Sequence, residues 1–158
     1  MSKTAVYPGT FDPITNGHLD ILQRALKIFD KIIILVADNP NKKTLFSKEE
    51  RLEIIKESTK DFQNVEVEYY NSLLLNFLKQ KNTNFIIRGL RAVSDFEYEF
   101  QRALLNREVN QEIETVFIMT KDKYSYLSSS IVKEMAMFSG DVSKFVPKIV
   151  ETKLKEKF

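Results

Sequence analysis

One segment limits the possible fold more than any other: residues Lys31–Ala37, with the sequence Lys-Ile-Ile-Ile-Leu-Val-Ala. Strands with one face in water alternate apolar and polar residues, whereas strands buried on both faces of a parallel sheet form continuous runs of Ile, Val and Leu. This run is therefore predicted to be a central strand of a parallel sheet whose two faces are both covered.

Strand-like and helical patterns alternate along the rest of the chain, without repeats, linkers or low-complexity tracts. Strands are predicted at residues 3–7, 31–37, 65–69, 84–88 and 114–119, and helices at about 19–29, 47–60, 73–81, 94–106, 128–139 and from 147 onward. Ser47 opens the second helix with a capping box, and Ser94 is the expected N-cap of the fourth. The pattern predicts one domain, residues 1–158, with an α/β fold: a Rossmann-like doubly wound five-stranded parallel sheet with helices on both faces.

Ligands in such folds bind beyond the carboxyl ends of the strands, where the strand order reverses. The commonest five-stranded arrangement that binds a nucleotide places strands one and four side by side at that point. Residues 8–11, which follow strand one, and residues 88–91, which follow strand four, are then expected to border one crevice.

Composition excludes several kinds of site. The 24 basic and 22 acidic side chains leave a net charge of +2, which gives no reason to expect a nucleic-acid partner. The absence of cysteine and the single histidine exclude disulfides, thiolate catalysis and metal sites built from cysteines or several histidines. With no leader-like N-terminus and no apolar run of about 18 residues, a cytoplasmic protein without a membrane contact is expected.

Residues 7–19 form a strand-to-helix turn that holds two of the four glycines, two of the four prolines and the only histidine. Gly9 lets the backbone approach a ligand at the end of the strand, and Asn16 and Gly17 open the helix. His18 then lies in the first helical turn, where free N–H groups and the helix dipole attract anions. The turn predicts a phosphate site, although a simple turn with a capping or surface histidine is the alternative.

Two basic segments follow strands at the same edge. Arg88 ends a strand and is followed by Gly-Leu-Arg91; a partly buried guanidinium there needs a carboxylate or phosphate partner, although a turn with two solvated arginines is the alternative. Lys42 and Lys43 follow strand two, and by themselves favour an ordinary polar loop.

Polar residues also begin two helices. Ser128, Ser129 and Ser130 open the fifth helix, where one serine serves as N-cap and all three offer hydroxyls to phosphates. Asp95 and Glu99 lie on one face of the fourth helix, and their ordinary explanation is that they complement the helix dipole.

The motif Thr15-Asn-Gly-His18 resembles the Thr/His-x-Gly-His signature of nucleotidyltransferases. The longer segment Tyr-Pro-Gly-Thr-Phe-Asp-Pro-Ile-Thr-Asn-Gly-His is similar to the signature of the bacterial phosphopantetheine adenylyltransferases. The resemblance continues through Phe-Ser-Lys-Glu-Glu-Arg51, Ile-Arg88-Gly-Leu-Arg-Ala-Val-Ser-Asp-Phe-Glu-Tyr-Glu99 and Ser-Ser-Ser-Ile-Val-Lys-Glu134, and covers nearly the whole chain. Neither a Gly-x-Gly-x-x-Gly motif nor a Walker A loop occurs.

The resemblance implies transfer of the adenylyl group of ATP to 4′-phosphopantetheine, giving dephospho-coenzyme A and pyrophosphate, in a homohexamer. It implies ATP contacts at Thr10, Phe11, His18, Gly89, Leu90, Arg91, Glu99, Tyr124, Ser125, Tyr126, Leu127, Ser128, Ser129 and Ser130. It implies phosphopantetheine contacts at Thr10, Lys42, Leu74 and Arg88, with His18, Lys42 and Arg91 acting in catalysis. Two departures bear on the pocket walls: Tyr124 stands where tryptophan is frequent, and Asn71-Ser72 stands where relatives often have a glycine.

The residue inventory suits this chemistry, because a phosphate monoester with a second pKa near 6 is already an anion at neutral pH and needs no general base. Alignment and charge neutralisation remain to be supplied. His18 and Thr10 are assigned to the transferring α-phosphate, Lys42 and Arg88 to the incoming phosphate, and Arg91 with the serines to the leaving pyrophosphate. Mg2+ is expected to bridge ATP oxygens through water, since no all-protein cage is visible.

Two alternatives stay open at this point. One is another nucleotidyltransferase whose acceptor is nicotinamide mononucleotide or a sugar or glycerol phosphate. Lys42 beside the apolar pair Leu73 and Leu74 favours the pantetheine arm over these acceptors. The other is a non-catalytic nucleotide-sensing domain, which has no use for a second anion site at Lys42 and Arg88.

Overall fold

A computed structural model describes residues 2–91 and 93–158, apart from the side chains of residues 93 and 94. Its five strands are all parallel, in the order β3-β2-β1-β4-β5. They are β1 Thr4–Gly9, β2 Lys31–Ala37, β3 Val65–Tyr70, β4 Phe85–Leu90 and β5 Glu114–Met119. The predicted Rossmann-like doubly wound sheet is confirmed, with β1 and β4 adjacent where the strand order reverses.

Six α-helices occur in the described ranges, with a 3-10 turn at Asp122–Tyr124 before the fifth. They are α1 Asn16–Ala25, α2 Lys48–Ser58, α3 Leu74–Gln80, α4 Val93–Val109, α5 Ser129–Met137 and α6 Lys148–Lys157. In these same ranges, no helix has the length and apolar character needed to cross a membrane.

Two predicted helix ends differ from the structure by three residues or more, and one predicted N-cap is a side chain outside the described part of the chain. α1 ends at Ala25 and not at Phe29, because the backbone N–H groups of residues 27 and 28 turn back to carbonyls only three residues earlier. α4 continues to Val109, three residues beyond the predicted end. The predicted N-cap at Ser94 concerns a side chain that is outside the described part of the chain.

β2 confirms the prediction of a strand buried on both faces. Ile32, Ile34 and Val36 belong to a core with residues of α1, α2, α5 and α6 on one face of the sheet. Ile33 and Leu35 pack with Phe77 and Leu78 of α3 on the other face. Alternate residues of one strand therefore hold two helical layers against the sheet.

β1 and β4 separate at the carboxyl edge of the sheet, where a ligand is expected. β1 pairs with β2 at six positions but with β4 only at Ala5–Phe85 and Val6–Ile86. Beyond these two pairs the strands separate, and the Arg88 guanidinium crosses the gap and donates to the Pro8 carbonyl at 2.7 Å. The separation opens the crevice between the carboxyl ends of β1 and β4.

Candidate active site

A cleft of about 460 Å3 lies at this division of the sheet. Its wall includes most of the residues that the sequence indicated. They are Thr10, Phe11, His18, Lys42, Arg88, Gly89, Arg91, Glu99, Tyr124, Leu127, Ser128, Ser129 and Ser130. The turn after β1, the turn after β4, the segment after β2 and the start of α5 therefore meet in one place.

Four predicted site residues lie outside the lining of the cleft. Leu74 opens α3 and packs against the second core. The carbonyl of Leu90 accepts the backbone N–H of Thr120, which extends the pairing of β4 with β5. Ser125 donates its hydroxyl to the Asp122 carbonyl at 2.6 Å, and Tyr126 is exposed to solvent.

His18 is held by a capping box at the start of α1. Its Nδ1 atom accepts the backbone N–H of Thr15 at 2.9 Å, while the Thr15 hydroxyl accepts the backbone N–H of His18. Because Nδ1 is an acceptor, the neutral ring carries its proton on Nε2. Burial, followed by the charges of Arg91 and Arg88, lowers the pKa of His18 from its ordinary 6.5 to about 3. His18 is therefore a neutral ring with an Nε2–H donor, and burial is the main cause of its lowered pKa.

Gly9 lines the cleft, and the ring of Phe11 packs against it. A Cβ atom at Gly9 would lie 2.9 Å from this ring, so glycine is needed there for internal packing as well as for an open cleft. Phe11 has a φ of 50°, is buried, and meets His18 edge-on at a centroid distance of 5.0 Å. This contact fixes the plane of the imidazole.

The backbone of Thr10 is held by a buried arginine that was not predicted to be a site residue. Arg51 of α2 is 2% exposed and donates from Nη1 to the Thr10 carbonyl at 2.9 Å and from Nη2 to Asp38 at 2.7 Å. Tyr69 donates its hydroxyl to the other oxygen of Asp38 at 2.7 Å. The hydrogen bonds from Arg51 and Tyr69 hold the pKa of Asp38 below its ordinary value. Arg51 thus links the end of β1 to the end of β2.

Asp12 is a second buried anchor that sequence reasoning missed. Its carboxylate accepts the backbone N–H groups of Leu45 and Phe46 at 2.8 and 2.9 Å and the ammonium of Lys133 at 2.8 Å. These bonds tie the segment after β2, which carries Lys42, to the turn after β1 and to α5. Asp12 and Lys133 both lie in segments that carry the family resemblance, but their sequence positions give no sign that they meet.

Arg88, near the end of β4, and Arg91, just after it, are each paired with an acidic residue of α4. Arg88 donates to both oxygens of Glu99, at 2.7 and 2.6 Å. Burial lowers the pKa of Arg88, but its bond to Glu99 and the charge of Glu99 outweigh this, and the pKa is raised. Arg91 donates to Asp95 at 2.8 and 3.3 Å and to the Leu127 carbonyl at 2.9 Å. The carboxylate partner expected for a buried guanidinium is present.

The serines of α5 are partly committed to the protein itself. Ser128 is the N-cap and accepts the backbone N–H of Ile131 at 3.1 Å, as expected for one of the three. Ser129 donates to the Pro13 carbonyl at 2.7 Å. Ser130 is exposed at the cleft, beside the free N–H groups of the helix start.

Comparison with known proteins shows the family to which the chain belongs. Residues 6–135 match the family described as cytidylyltransferase-like. A phosphopantetheine adenylyltransferase of Caldanaerobacter subterraneus subsp. tengcongensis is 56% identical over 156 residues, which cover 99% of this chain and 98% of the relative. Those of Desulfosudis oleivorans and Thermodesulfovibrio yellowstonii are 57% identical, covering 98% and 100% of this chain and 92% and 99% of their own. The chain belongs to the phosphopantetheine adenylyltransferase family.

A solved structure independently supports the fold of this member of the phosphopantetheine adenylyltransferase family. The lipopolysaccharide core biosynthesis protein of Thermoplasma volcanium matches with a TM-score of 0.58 and covers 77% of this chain and all of that one. At 18% identity, the match supports a shared fold alone.

The two departures from the family pattern have different places in the structure. Tyr124, the position where the resemblance leads us to expect tryptophan, lines the cleft with an aromatic ring. Asn71 and Ser72 are exposed between β3 and α3 and do not line the cleft. The substitution that bears on the shape of the cleft is therefore Tyr124.

Proposed function

We propose that this chain transfers the adenylyl group of ATP to 4′-phosphopantetheine, with dephospho-coenzyme A and pyrophosphate as products. One observation carries the proposal: a single cleft joins a neutral histidine N–H donor to cationic side chains on both of its flanks. Lys42 and Arg88 lie towards β2 and β1, and Arg91 lies towards α5. Two separate anions can thus be held on either side of one reacting phosphorus.

The ATP half of the cleft is assigned to the turn after β4 and to α5. We assign the transferring α-phosphate to the Nε2–H of His18 and to Thr10, and the β and γ phosphates to Arg91 and the free N–H groups and hydroxyl at Ser130. Arg91 already spans from α4 to the Leu127 carbonyl. A cation in that place neutralises charge on the leaving pyrophosphate.

The acceptor half is assigned to Lys42 and Arg88. Each can hold an oxygen of the phosphopantetheine phosphate, which attacks as an anion and needs no general base. The remaining requirement is alignment. For attack in line with the leaving oxygen, the acceptor phosphate and the α-phosphate of ATP must both lie between these cations. From this half, the pantetheine arm extends along the carboxyl edge of the sheet towards Leu74 at the start of α3.

Mg2+ enters this proposal as a companion of ATP. No group of three or more acidic or histidine side chains in residues 2–91 and 93–158 is arranged to hold a metal. Two carboxylates of the cleft, Asp12 and Glu99, are each bonded to a cationic side chain and nearly buried. A protein-ligated magnesium does not fit these residues, so the ion is assigned to the ATP phosphates and water.

We further propose that copies of the chain associate through α4, with the homohexamer implied by the resemblance as the expected size. The helix exposes Phe96, Phe100, Leu104, Leu105 and Val109, and the first two rings stack at 5.5 Å. An apolar surface of this kind favours association in water. Light scattering on the purified protein tests the proposal, and a mass equal to one chain would overturn it. A cytoplasmic location remains a prediction from the sequence.

Pyrophosphate release from ATP, measured with and without 4′-phosphopantetheine, tests the reaction. We expect release only with the acceptor, together with the mass of dephospho-coenzyme A. Equal use of nicotinamide mononucleotide or glycerol phosphate would reassign the acceptor. ATP binding without release under any of these conditions would favour a nucleotide-sensing protein.

A further inference from the structure

Arg51 of α2 does not line the cleft, but it bonds to a residue that does, Thr10. Its Nη1 atom donates to the Thr10 carbonyl, just after β1, at 2.9 Å, and its Nη2 atom donates to Asp38, just after β2, at 2.7 Å. Tyr69 of β3 donates to the second oxygen of Asp38 at 2.7 Å. The carboxyl ends of three neighbouring strands are thus joined through one guanidinium that is 2% exposed.

The bond to the Thr10 carbonyl fixes a peptide that leads into a strained residue. Phe11, which follows, has a φ of 50°, a left-handed conformation that an aromatic residue rarely adopts. Such a conformation persists only where the surrounding structure holds it. In this conformation the Phe11 ring meets His18 edge-on, at a centroid distance of 5.0 Å. The peptide held by Arg51 therefore sets the positions of both Thr10 and His18.

We propose that Arg51 is a positioning residue for the reaction, because it holds the peptide after Thr10 in the conformation that places Thr10 and His18 at the transferring phosphate. Asp38 and Tyr69 hold Arg51 in turn. This inference rests on the proposed function, which assigns Thr10 and the Nε2–H of His18 to that phosphate. Arg51 is buried outside the lining of the cleft and acts through these two residues.

The hydrogen bonding of Arg51 favours positioning over a purely structural role. Its Nε–H is buried and has no hydrogen-bond partner among the residues that the structure describes. A buried charge with an unpaired donor costs stability, and an apolar side chain of similar volume is often at least as stable. The charge is therefore explained by what it holds, the carbonyl that precedes Phe11, and not by a gain in stability.

The loss of this hold should act on turnover more than on binding. Without the bond from Arg51, the peptide after Thr10 relaxes from its strained conformation, and the two groups at the transferring phosphate move with it. A misplacement of about 1 Å at a reacting group can cost on the order of a hundredfold in rate. Contacts to the transferring phosphate strengthen in the transition state, so their loss lowers kcat and leaves the KM values nearly unchanged.

Arg51→Met tests the hold on Thr10. The carboxylate left behind, Asp38, is 50% exposed, so no charge remains buried without a partner. We expect kcat for pyrophosphate release to fall at least about tenfold, with both KM values within about threefold and the urea midpoint within about 0.5 M of the wild type. Arg51→Lys keeps the charge but cannot reach both partners with one planar group, and it should regain part of the lost kcat.

Two milder variants remain informative if Arg51→Met fails to fold. Asp38→Asn keeps the size of the side chain and removes the charge that faces the guanidinium, so kcat should fall about threefold or more. Tyr69→Phe removes a bond that is one step further from Thr10, and its effect should be smaller than that of Asp38→Asn. An unchanged kcat in Asp38→Asn, or a larger loss in Tyr69→Phe, would contradict the proposed chain of contacts.

Glu68→Gln is the matched control for Asp38→Asn. Glu68 precedes Tyr69 on β3, faces the other side of the sheet, and forms a partly exposed ion pair with Lys81 at 2.6 Å. Its change removes the same charge from the same sheet edge without touching Arg51, and kcat should stay within about twofold. If this control lowered kcat as much as Asp38→Asn, the general charge of the edge would explain the result and the proposal would fail.

The wild-type reaction keeps the two conclusions apart. If the wild type released no pyrophosphate with 4′-phosphopantetheine, the proposed function would fail, and this inference with it. If the wild type were active and folded Arg51→Met turned over at the same rate, only the role of Arg51 would fail. A rise in the KM values with unchanged kcat would also overturn the proposal, since Arg51 would then support substrate binding and not the transferring phosphate.

Discussion

Replacing His18 with asparagine separates its two tasks. In the structure, Nδ1 accepts the Thr15 N–H at 2.9 Å, while Nε2 carries the proton that we assign to the transferring phosphate. Asparagine places an oxygen near the position of Nδ1 and has no atom at Nε2. His18→Asn is therefore expected to keep the capping box and to lose only the donor.

The expected size follows from these two contributions. Loss of one preorganised donor to developing charge lowers turnover by about a hundredfold to a thousandfold, or roughly 3–4 kcal/mol of activation free energy. The kept cap, a single hydrogen bond between uncharged groups, is worth about 1 kcal/mol of folding stability, so the variant should unfold close to the wild type. His18→Gln carries its amide nearer to Nε2 and is expected to retain part of the lost turnover.

The assay is pyrophosphate release at saturating substrates, with ATP affinity from calorimetric titration and stability from urea unfolding. We expect kcat to fall by two orders of magnitude or more for His18→Asn, with little change in ATP affinity. Turnover near that of the wild type in a folded His18→Asn protein would refute the role of Nε2. A large loss of stability would instead show that the ring acts mainly as a cap.

Further predictions concern other parts of the site. Folded His18 has a pKa of about 3 against 6.5 when unfolded, so its contribution to stability is present above pH 6.5 and is lost as the pH falls towards 3. Between pH 7 and pH 5, urea unfolding should show the wild type losing about 2 kcal/mol more than His18→Asn. Lys42→Ala should weaken 4′-phosphopantetheine binding about tenfold or more in calorimetry and leave ATP binding unchanged, and equal losses would mean that the halves are misassigned. Asp12→Asn should lower the free energy of unfolding by about 2 kcal/mol or more, because three donors lose a buried carboxylate; a change below about 0.5 kcal/mol would contradict its anchoring role. Leu74→Asp should raise the KM for the acceptor alone while Leu74→Met is tolerated, and an unchanged KM in Leu74→Asp would place the pantetheine arm elsewhere.

The parts of the fold that sequence predicted are those encoded in short-range patterns. The apolar run of β2 and the regular alternation of strands and helices predict a doubly wound parallel sheet. The usual strand order of such a sheet brings the turns after β1 and β4 together. The capping box of Ser47 and Glu50 spans only three residues, so the spacing alone predicted it.

The missed features depend on contacts between distant parts of the chain. In the sequence, Arg51 is an ordinary residue of α2, and its guanidinium meets the Thr10 carbonyl 41 residues away only in the folded chain. Lys133 reaches Asp12 across 121 residues. The acidic start of α4 was interpreted as a complement to the helix dipole, because nothing in the spacing of Asp95 and Glu99 indicates which arginine each one meets. Such pairings are set by the packing of the elements and not by their local sequences.

The stereochemistry at the α-phosphorus tests most directly the claim that the acceptor phosphate attacks ATP within one cleft. ATP with a chiral sulfur-substituted α-phosphate is converted with 4′-phosphopantetheine, and the configuration of the product is determined by phosphorus NMR. A single in-line displacement, with His18 acting only as a hydrogen-bond donor, predicts inversion. Retention of configuration would require two displacements and an adenylylated enzyme, and would contradict the account.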